Sequence, residues 1–306
     1  MKKQTKLFTV LILTILLICF ITACVPSDSP SNHKEIVDGD TTEGGNGTNN
    51  TPNEDPAAEQ ATISEQKCFE YNGITVTARE LVDESIWGAG IKLYIENNSD
   101  KDYSVGTEAV IVNNCMVRAL FSCEVAAGKK TNDVLYLFSS DLEAAGISNI
   151  GQIEIYFYIY DSSSYERVYE AECVTIKTSL YNQMDTTADD SGHVLYNENG
   201  IKIVGKYVDE NTFWGSSVLL YIENTSNCNI TVSCDDMSVN GYMVTGFLLE
   251  TVYQGKYAIG NITVMSSDLE ENNITDIEEI ELKFRIYNPD TFQTIQETDA
   301  IRFYAK

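Results

Sequence analysis

The sequence predicts an all-β protein in which one domain of about 110 residues occurs twice in tandem. Two observations predict this: an internal repeat and a strand-like alternation of apolar side chains. Residues 69–178 align without a gap on residues 196–305, with 32 identities in 110 positions. The stretch Ile91–Asn97 returns in this alignment as Val218–Asn224, and both copies end in Leu-Tyr-Ile-Glu-Asn. Self-similarity at a fixed offset indicates a duplicated structural unit.

Within each repeat the dominant period of the sequence is two residues. Apolar and polar or tyrosine side chains alternate along 153–160 and again along 280–287, a pattern that is typical of a strand with one buried face. About seven short strands in each repeat predict an immunoglobulin-like β-sandwich, with a small β-barrel as the alternative. The other predicted strands of the first repeat are 74–81, 91–97, 103–112, 115–125, 133–139 and 170–177.

Turn signals support antiparallel pairing of these strands. Asn240 and Gly241 stand between two short apolar runs, and Asn-Gly is favoured in a type I′ hairpin because both central residues need a positive φ. Asn113 and Asn114 occupy the same place in the first repeat. A single helical turn is predicted in each repeat at a Ser-x-x-Glu capping box, namely Ser140 to Glu143 and Ser267 to Glu270.

The chain begins with a segment that has the features of an export signal. Three lysines precede an apolar run from Leu7 to Ile21, which is shorter than the roughly 20 residues that span a bilayer as a helix. A signal peptide of residues 1–23 is therefore predicted.

The end of this signal, Ile21-Thr22-Ala23-Cys24, resembles the lipobox of bacterial lipoproteins. The resemblance implies cleavage before Cys24 and attachment of diacylglycerol to its sulfur, and ordinary secretion with a chance cysteine is the alternative. Two acyl chains are enough for stable attachment to a membrane. The predicted location is thus the extracellular face of the bacterial cell membrane, to which the protein is lipid-anchored.

The composition changes after the signal, and this change sets the domain boundaries. Residues 24–61 hold four of the five prolines and scarcely an aromatic residue. Such a segment buries too little apolar surface to fold, so a disordered tether is predicted. The two domains are then 62–179 and 193–306, joined by a linker over 180–192.

The charge of the chain excludes some classes of function. Its formal net charge of −26 repels nucleic acid, whose binding depends on clustered Lys and Arg. The only histidines are His33 and His193, and neither has a partner at the spacing of a metal site or a catalytic triad. We therefore predict no enzyme activity, no metal and no cofactor.

None of the six cysteines that follow Cys24 is shared between the repeats. A fold that required a disulfide would be expected to keep it in both copies, so free thiols are predicted. A bridge between Cys68 and Cys173, which flank the first domain, is the alternative. The six are Cys68, Cys115, Cys123, Cys173, Cys228 and Cys234.

One feature distinguishes the two repeats. Tyr156, Tyr158 and Tyr160 form an outward stripe in the first, where the second has Lys283, Arg285 and Tyr287. Tyrosines can stack on sugars or anchor a protein partner, so these three are the candidate binding surface. The alternative is that they cover a sheet or a contact between domains.

The chain as a whole resembles the tandem immunoglobulin-like lipoproteins of uncharacterised function in Gram-positive bacteria. The runs Leu-Tyr-Ile-Glu-Asn, Val-Asn-Gly-Tyr-Met-Val and Ser-Ser-Asp-Leu-Glu carry the resemblance. It implies a surface binding or adhesion protein, whose expected partner is a cell-wall glycan or an envelope protein. A structural envelope scaffold is the second hypothesis. An enzyme with two carboxylates in a cleft between the domains is the third.

Overall fold

The computed structural model describes residues 33–38, 61–84, 88–212 and 214–306. These residues form β-strands, with two short α-helices and one 3-10 turn at Tyr181–Gln183. The strands pack as two-sheet sandwiches, which confirms the predicted all-β sandwich class. The signal peptide, Cys24 and most of the predicted tether lie outside the described residues.

The first half of the described chain contains eleven strands, and one further strand, β1, precedes it. They are β1 (His33–Val37), β2 (Gln66–Tyr71), β3 (Ile74–Glu84), β4 (Gly88–Asn97), β5 (Tyr103–Val112), β6 (Cys115–Met116), β7 (Ala119–Leu120), β8 (Ser122–Val125), β9 (Lys130–Leu137), β10 (Gln152–Asp161), β11 (Arg167–Glu170) and β12 (Val174–Lys177). Helix α1 (Ser139–Ala144) lies between β9 and β10.

The second half has the same order of elements. Its strands are β13 (His193–Glu198), β14 (Ile201–Thr212), β15 (Gly215–Asn224), β16 (Ile230–Val239), β17 (Tyr242–Met243), β18 (Gly246–Phe247), β19 (Leu249–Val252), β20 (Lys256–Met265), β21 (Glu279–Tyr287), β22 (Thr294–Glu297) and β23 (Ile301–Ala305). Helix α2 (Ser266–Glu271) lies between β20 and β21.

Each half encloses its own hydrophobic core between two sheets. In the first half the sheet β2-β3-β4-β9-β7 faces the strands β5, β8, β10, β11 and β12, which pair with one another. Ile91 and Leu93 of one sheet meet Ile153 and Phe157 of the other, and all four side chains are almost fully buried. The second core is built in the same way. The alternation predicted over 153–160 is confirmed, because Ile153, Ile155, Phe157 and Ile159 face inward.

Two asparagines at the end of the repeated Leu-Tyr-Ile-Glu-Asn run are completely buried. The side-chain amide of Asn97 donates to the carbonyls of Lys101 at 2.7 Å and Val125 at 2.8 Å. Its oxygen accepts from the backbone N–H and hydroxyl of Ser99. Asn224 makes the matching four bonds in the second half. All of the hydrogen-bonding capacity of a buried amide is thus satisfied.

The predicted hairpins are confirmed and the predicted helix caps are wrong. Asn113 and Asn114 both have positive φ, as do Asn240 and Gly241. The helical turns are present, but neither helix has a side-chain cap, because each begins one residue before the predicted serine cap. The carboxylate of Asp141 instead accepts the backbone N–H of Arg118 at 2.8 Å.

A single strand over 115–125, as the alternation suggested, is wrong. The run is divided into β6, β7 and β8. Strands β6 and β8 pair with β5, whereas β7 pairs with β9 in the opposite sheet. The chain therefore crosses between the two sheets within this run. The run 170–177 is also divided, into β11 and β12, both of which pair with β10.

The predicted disorder of 24–61 is wrong for its middle part, because His33–Val37 forms β1 in the second sandwich. Its first three residues pair with β14, and Ile36 and Val37 pair with β23. The side chain of Ile36 is only 4% exposed and belongs to the second core. The composition of this segment alone predicts no structure. It is stabilised by the burial of Ile36 and by pairing with two strands, β14 along its first part and β23 along its second.

The two halves are joined by hydrogen bonds between strands. Strand β6 of the first half lies parallel to β20 of the second, with Cys115 opposite Tyr257 and Met116 opposite Ala258. The side chain of Tyr257 packs with the first core, and Met116 packs against the second. This contact fixes one sandwich beside the other and creates a cleft between them.

Candidate functional site

The candidate site is a cleft of about 620 Å³ between the two sandwiches, which we call the interdomain cleft. One wall comes from β5, β10 and β11 of the first half and from the segment 116–120. The other wall comes from β19, β20 and the loop after β21. Its titratable side chains are Glu108, Arg118, Asp141, Tyr156, Arg167, Glu170, Glu250, Tyr253 and Asp290.

Glu250 is the most unusual group in this cleft. It lies on β19 at the position that Cys123, a buried core residue, holds in the first repeat. Burial and, to a smaller extent, the nearby Asp141 carboxylate raise the pKa of Glu250 to about 7, against the lowering effect of Arg118. The half-buried carboxyl group loses hydration in its charged form, which explains the direction of the shift.

Space for Glu250 comes from a glycine on β20, in the opposite sheet of the second sandwich. A Cβ atom on Gly260 would lie 3.2 Å from both Cγ and Oε2 of Glu250. The first repeat has Asp133 at this place, across from Cys123. The second repeat therefore differs from the first at two facing positions. Glu250 stands in place of Cys123, and the smaller Gly260 stands in place of Asp133.

Five of the other six charged groups of the cleft, all except Asp290, are held in ion pairs. The guanidinium of Arg118 donates to Asp141, with Nη2 to Oδ1 at 2.5 Å, and lies 5.1 Å from the ring centre of Phe138. Arg167 donates to Glu108 at 2.7 Å and pairs with Glu170 at 3.1 Å. Five carboxylates and two guanidinium groups line the cleft, so its net charge is −3 when Glu250 is ionised.

Two tyrosines from opposite sandwiches meet in the cleft. The rings of Tyr156 and Tyr253 have centroids 4.9 Å apart and lie edge to face, an arrangement that aromatic pairs favour. Burial raises the pKa of both hydroxyls. Tyr156, predicted as part of an outward stripe, thus contributes to the contact between the sandwiches and to the cleft.

The other two tyrosines of the stripe lie outside the lining of the cleft. Tyr158 covers Gly106 of the neighbouring strand, where an added Cβ would come within 2.5 Å of its ring. The Arg167 guanidinium lies 4.5 Å from the Tyr158 ring centre, and Tyr160 packs edge to face against Tyr158. All three tyrosines are half-buried, and binding at this stripe stays a prediction.

An ion pair beside the cleft joins the two halves. Lys256 Nζ of β20 donates to Glu154 Oε1 of β10 at 2.6 Å, and these side chains are only 15% and 12% exposed. Gln152 donates to the same oxygen at 2.9 Å. Glu154 lies on the outward face of β10, two residues before Tyr156, at a point where the second sandwich covers that face.

The described residues contain no disulfide among the six cysteines that follow Cys24. Cys68 and Cys173, the pair considered for a bridge, both line a second and more open cavity at the edge of the first sandwich. Burial raises the pKa of the Cys68 thiol to about 11, which makes it a weak nucleophile.

Sequence reasoning missed Glu250 and Tyr253 as members of one site. The available signal was the alignment of the repeats, which places an acidic residue at the position of a core cysteine. Lipid attachment at Cys24 falls outside the described residues.

The described part of the chain contains no helix long and apolar enough to cross a membrane. Within the same residues no three side chains of His, Cys, Asp or Glu are grouped to hold a metal ion.

No protein-family model and no curated protein matches this chain. Among solved structures it is similar to the SafA pilin of Salmonella enterica in complex with the SafB chaperone, at 13% identity and a TM-score of 0.20, over 70% of this chain and 88% of that one. It is also similar to the exo-chitosanase CsxA of Amycolatopsis orientalis, at 11% identity and a TM-score of 0.23. That match covers 71% of this chain and 26% of the chitosanase chain.

Proposed function

We propose that this protein is a lipid-anchored binding protein of the bacterial cell surface, and that its ligand binds in the interdomain cleft. The observation that carries this proposal is the cleft itself, which has a volume of about 620 Å³ and combines walls from both sandwiches. Ligand sites of proteins commonly have volumes of roughly 300–1,000 Å³ and occur at domain interfaces.

The charge of the cleft indicates the class of ligand. Arg118 and Arg167 are already paired with carboxylates, which leaves Glu250 and Asp290 to receive a cation. The aromatic edge of Tyr156 and Tyr253 offers an apolar surface in the same cleft. A polar ligand with an amino group, such as a cell-wall glycan strand with free amines, matches both features.

The test is a binding measurement with the mature chain from residue 25, made without its lipid. Cell-wall glycan strands are titrated in N-acetylated and N-deacetylated forms. We expect the deacetylated strands to bind more tightly, with a maximum near pH 7, because Glu250 ionises there and the sugar amines lose their protons as the pH rises further. Glu250→Gln should weaken binding about tenfold, the value of one charge-assisted hydrogen bond.

Two further variants locate the site. Tyr253→Ala should also weaken binding, whereas Tyr242→Ala, which removes a 52% exposed tyrosine outside the cleft, should leave it unchanged. If Glu250→Gln and Tyr253→Ala bind the glycan as tightly as the unmodified chain does, the ligand site does not lie in the cleft. Capture of envelope proteins that is insensitive to all three changes would favour the scaffold hypothesis.

One observation favours a second candidate, a glycan hydrolase. A carboxyl group with a pKa near 7 suits general acid–base catalysis, and Glu250 has this property in a cleft between domains. The nearby Asp141 accepts hydrogen bonds from the guanidinium of Arg118 and is the second carboxylate of this site. Formation of new reducing ends during the titration, lost in Glu250→Gln, would identify an enzyme in place of a binding protein.

A further inference from the structure

Strand β1 takes the place in the second sandwich that the residues before β2 take in the first. The backbone N–H of Lys306 donates to the carbonyl of Glu35 at 2.8 Å. In the first sandwich Ser179, which lies 127 residues before Lys306, donates in the same way to Thr62 at 2.8 Å. Glu35 therefore corresponds to Thr62, and the next residues, Ile36 and Ile63, correspond as well.

Both of these isoleucines face a core. Ile36 is buried in the second core, and Ile63 is packed against the first. The first sandwich thus takes this strand from the residues directly before it, and the second takes it from a segment that precedes the entire first domain.

The second repeat carries its own residues at the corresponding position, but they are unsuited to this place. Asp190 stands where the first repeat has Ile63. It lies at the surface in an ion pair with Lys202 at 2.5 Å, and Asp189 pairs with Lys206 at 2.9 Å. Burial of a carboxylate in an apolar socket is unfavourable. An apolar strand from elsewhere is therefore needed to complete the second sandwich.

The groove that holds β1 has an apolar socket and an acidic rim. Ile36 fills the socket over Gly205, where an added Cβ would come within 2.7 Å of its Cδ1 atom. Lys34, which lies two residues away on the same face, pairs with Glu210 at 3.0 Å and with Asp276. The groove thus recognises an extended segment with a cation and an isoleucine two residues apart.

We propose that this groove is a strand-acceptor site, and that β1 of a second copy of this chain can occupy it in place of the chain's own β1. Only five residues hold the strand, and a single side chain enters the core. The connection from Asp38 to Ala61 can reach roughly 75–80 Å at full extension, which permits docking on the same or a neighbouring molecule.

Concentration determines which copy of the strand is bound. Linkage within one chain holds a segment at an effective concentration on the order of mM, so the chain's own strand occupies the groove in dilute solution. Exchange between copies is expected when the chain's own strand is defective, or when copies are crowded on a membrane surface.

Two complementary variants of the full mature chain test this exchange. Ile36→Asp makes the strand defective but leaves the groove open, and Gly205→Val blocks the groove but leaves the strand intact. We expect each variant alone to be monomeric and their mixture to form a one-to-one dimer, measured by native mass spectrometry and light scattering. A mixture that stays monomeric, with both variants folded, would overturn the proposal.

A peptide experiment covers the case in which Gly205→Val does not fold. A synthetic peptide of residues 31–39 is added to the full chain carrying Ile36→Asp, or Ile36→Ala if the aspartate variant is unfolded. We expect one peptide to bind per chain and to raise the midpoint of thermal unfolding. The same peptide with Ile36→Asp should bind about tenfold more weakly or worse. Failure of both peptides to bind a folded variant would overturn the proposal.

Discussion

Two asparagines that are identical in the two repeats have buried polar atoms. Asn97 and Asn224 end the repeated Leu-Tyr-Ile-Glu-Asn run and close the following loop with four hydrogen bonds each. Any other side chain at these positions would leave buried backbone carbonyls unpaired, which costs about 1–3 kcal/mol for each group. This requirement explains why asparagine ends the run in both repeats.

Glu250 represents the opposite case, a residue whose burial reduces stability. Well below pH 4.5 its carboxyl group is neutral in the folded and the unfolded chain. As the pH rises toward 7 the unfolded chain ionises first, because the folded-state pKa is raised to about 7. The free energy of unfolding should therefore fall over this interval, by roughly 2–3 kcal/mol for this group.

Urea unfolding of the unmodified chain and of Glu250→Gln between pH 4.5 and 8 measures this effect. The glutamine variant should lose that part of the pH dependence and be the more stable of the two at pH 8. Glu124→Gln, which changes an exposed residue on β8, is the matched control and should behave like the unmodified chain. Identical pH profiles for all three proteins would show that Glu250 is not desolvated.

At the level of elements, the sequence predicts the strands and turns that depend on local periodicity. The alternation along β10 and the Asn-Gly hairpin are local properties, and the structure contains both. The division of 115–125 could not be predicted, because apolar alternation continues while the chain crosses between sheets. The same limit applies to β1, whose pairing partners lie about 170 and 270 residues further along the chain.

The buried ion pair between β10 and β20 is an element-level contact with a measurable effect. Replacement of Lys256 by Ala would leave the carboxylate of Glu154 buried without its cation. We expect this to lower the free energy of unfolding by about 3 kcal/mol. Lys202→Ala breaks a pair with Asp190, which is 54% exposed, and should cost less than about 1 kcal/mol.

Chemical denaturation measures the free energy of unfolding of both lysine variants. The double variant Glu154→Gln/Lys256→Ala is a check: because Gln is neutral, it should regain part of the stability that Lys256→Ala loses. Equal costs for Lys256→Ala and Lys202→Ala would show that the contact between the sandwiches is hydrated and contributes little.

At the scale of the whole molecule, the docking of β1 changes the expected arrangement on the membrane. An unstructured segment of residues 24–61 would let both sandwiches stand roughly 120–130 Å from the lipid at full extension. With β1 docked, only eight residues lie between Cys24 and His33, a reach of roughly 30 Å. If Cys24 carries the lipid as we propose, the second sandwich lies close to the membrane although it comes later in the sequence.

Energy transfer to a lipid-headgroup acceptor on vesicles can test this arrangement. A donor dye is introduced through a non-natural amino acid at Glu271 in α2, or at Ser164 in the exposed turn after β10. We expect stronger transfer from position 271 than from position 164, because the second sandwich is held by the short segment before His33. Ile36→Asp should release β1 and reduce transfer from position 271, whereas Cys24→Ser should abolish attachment and all transfer. Equal transfer from both positions, unaffected by Ile36→Asp, would show that β1 does not hold the second sandwich at the membrane.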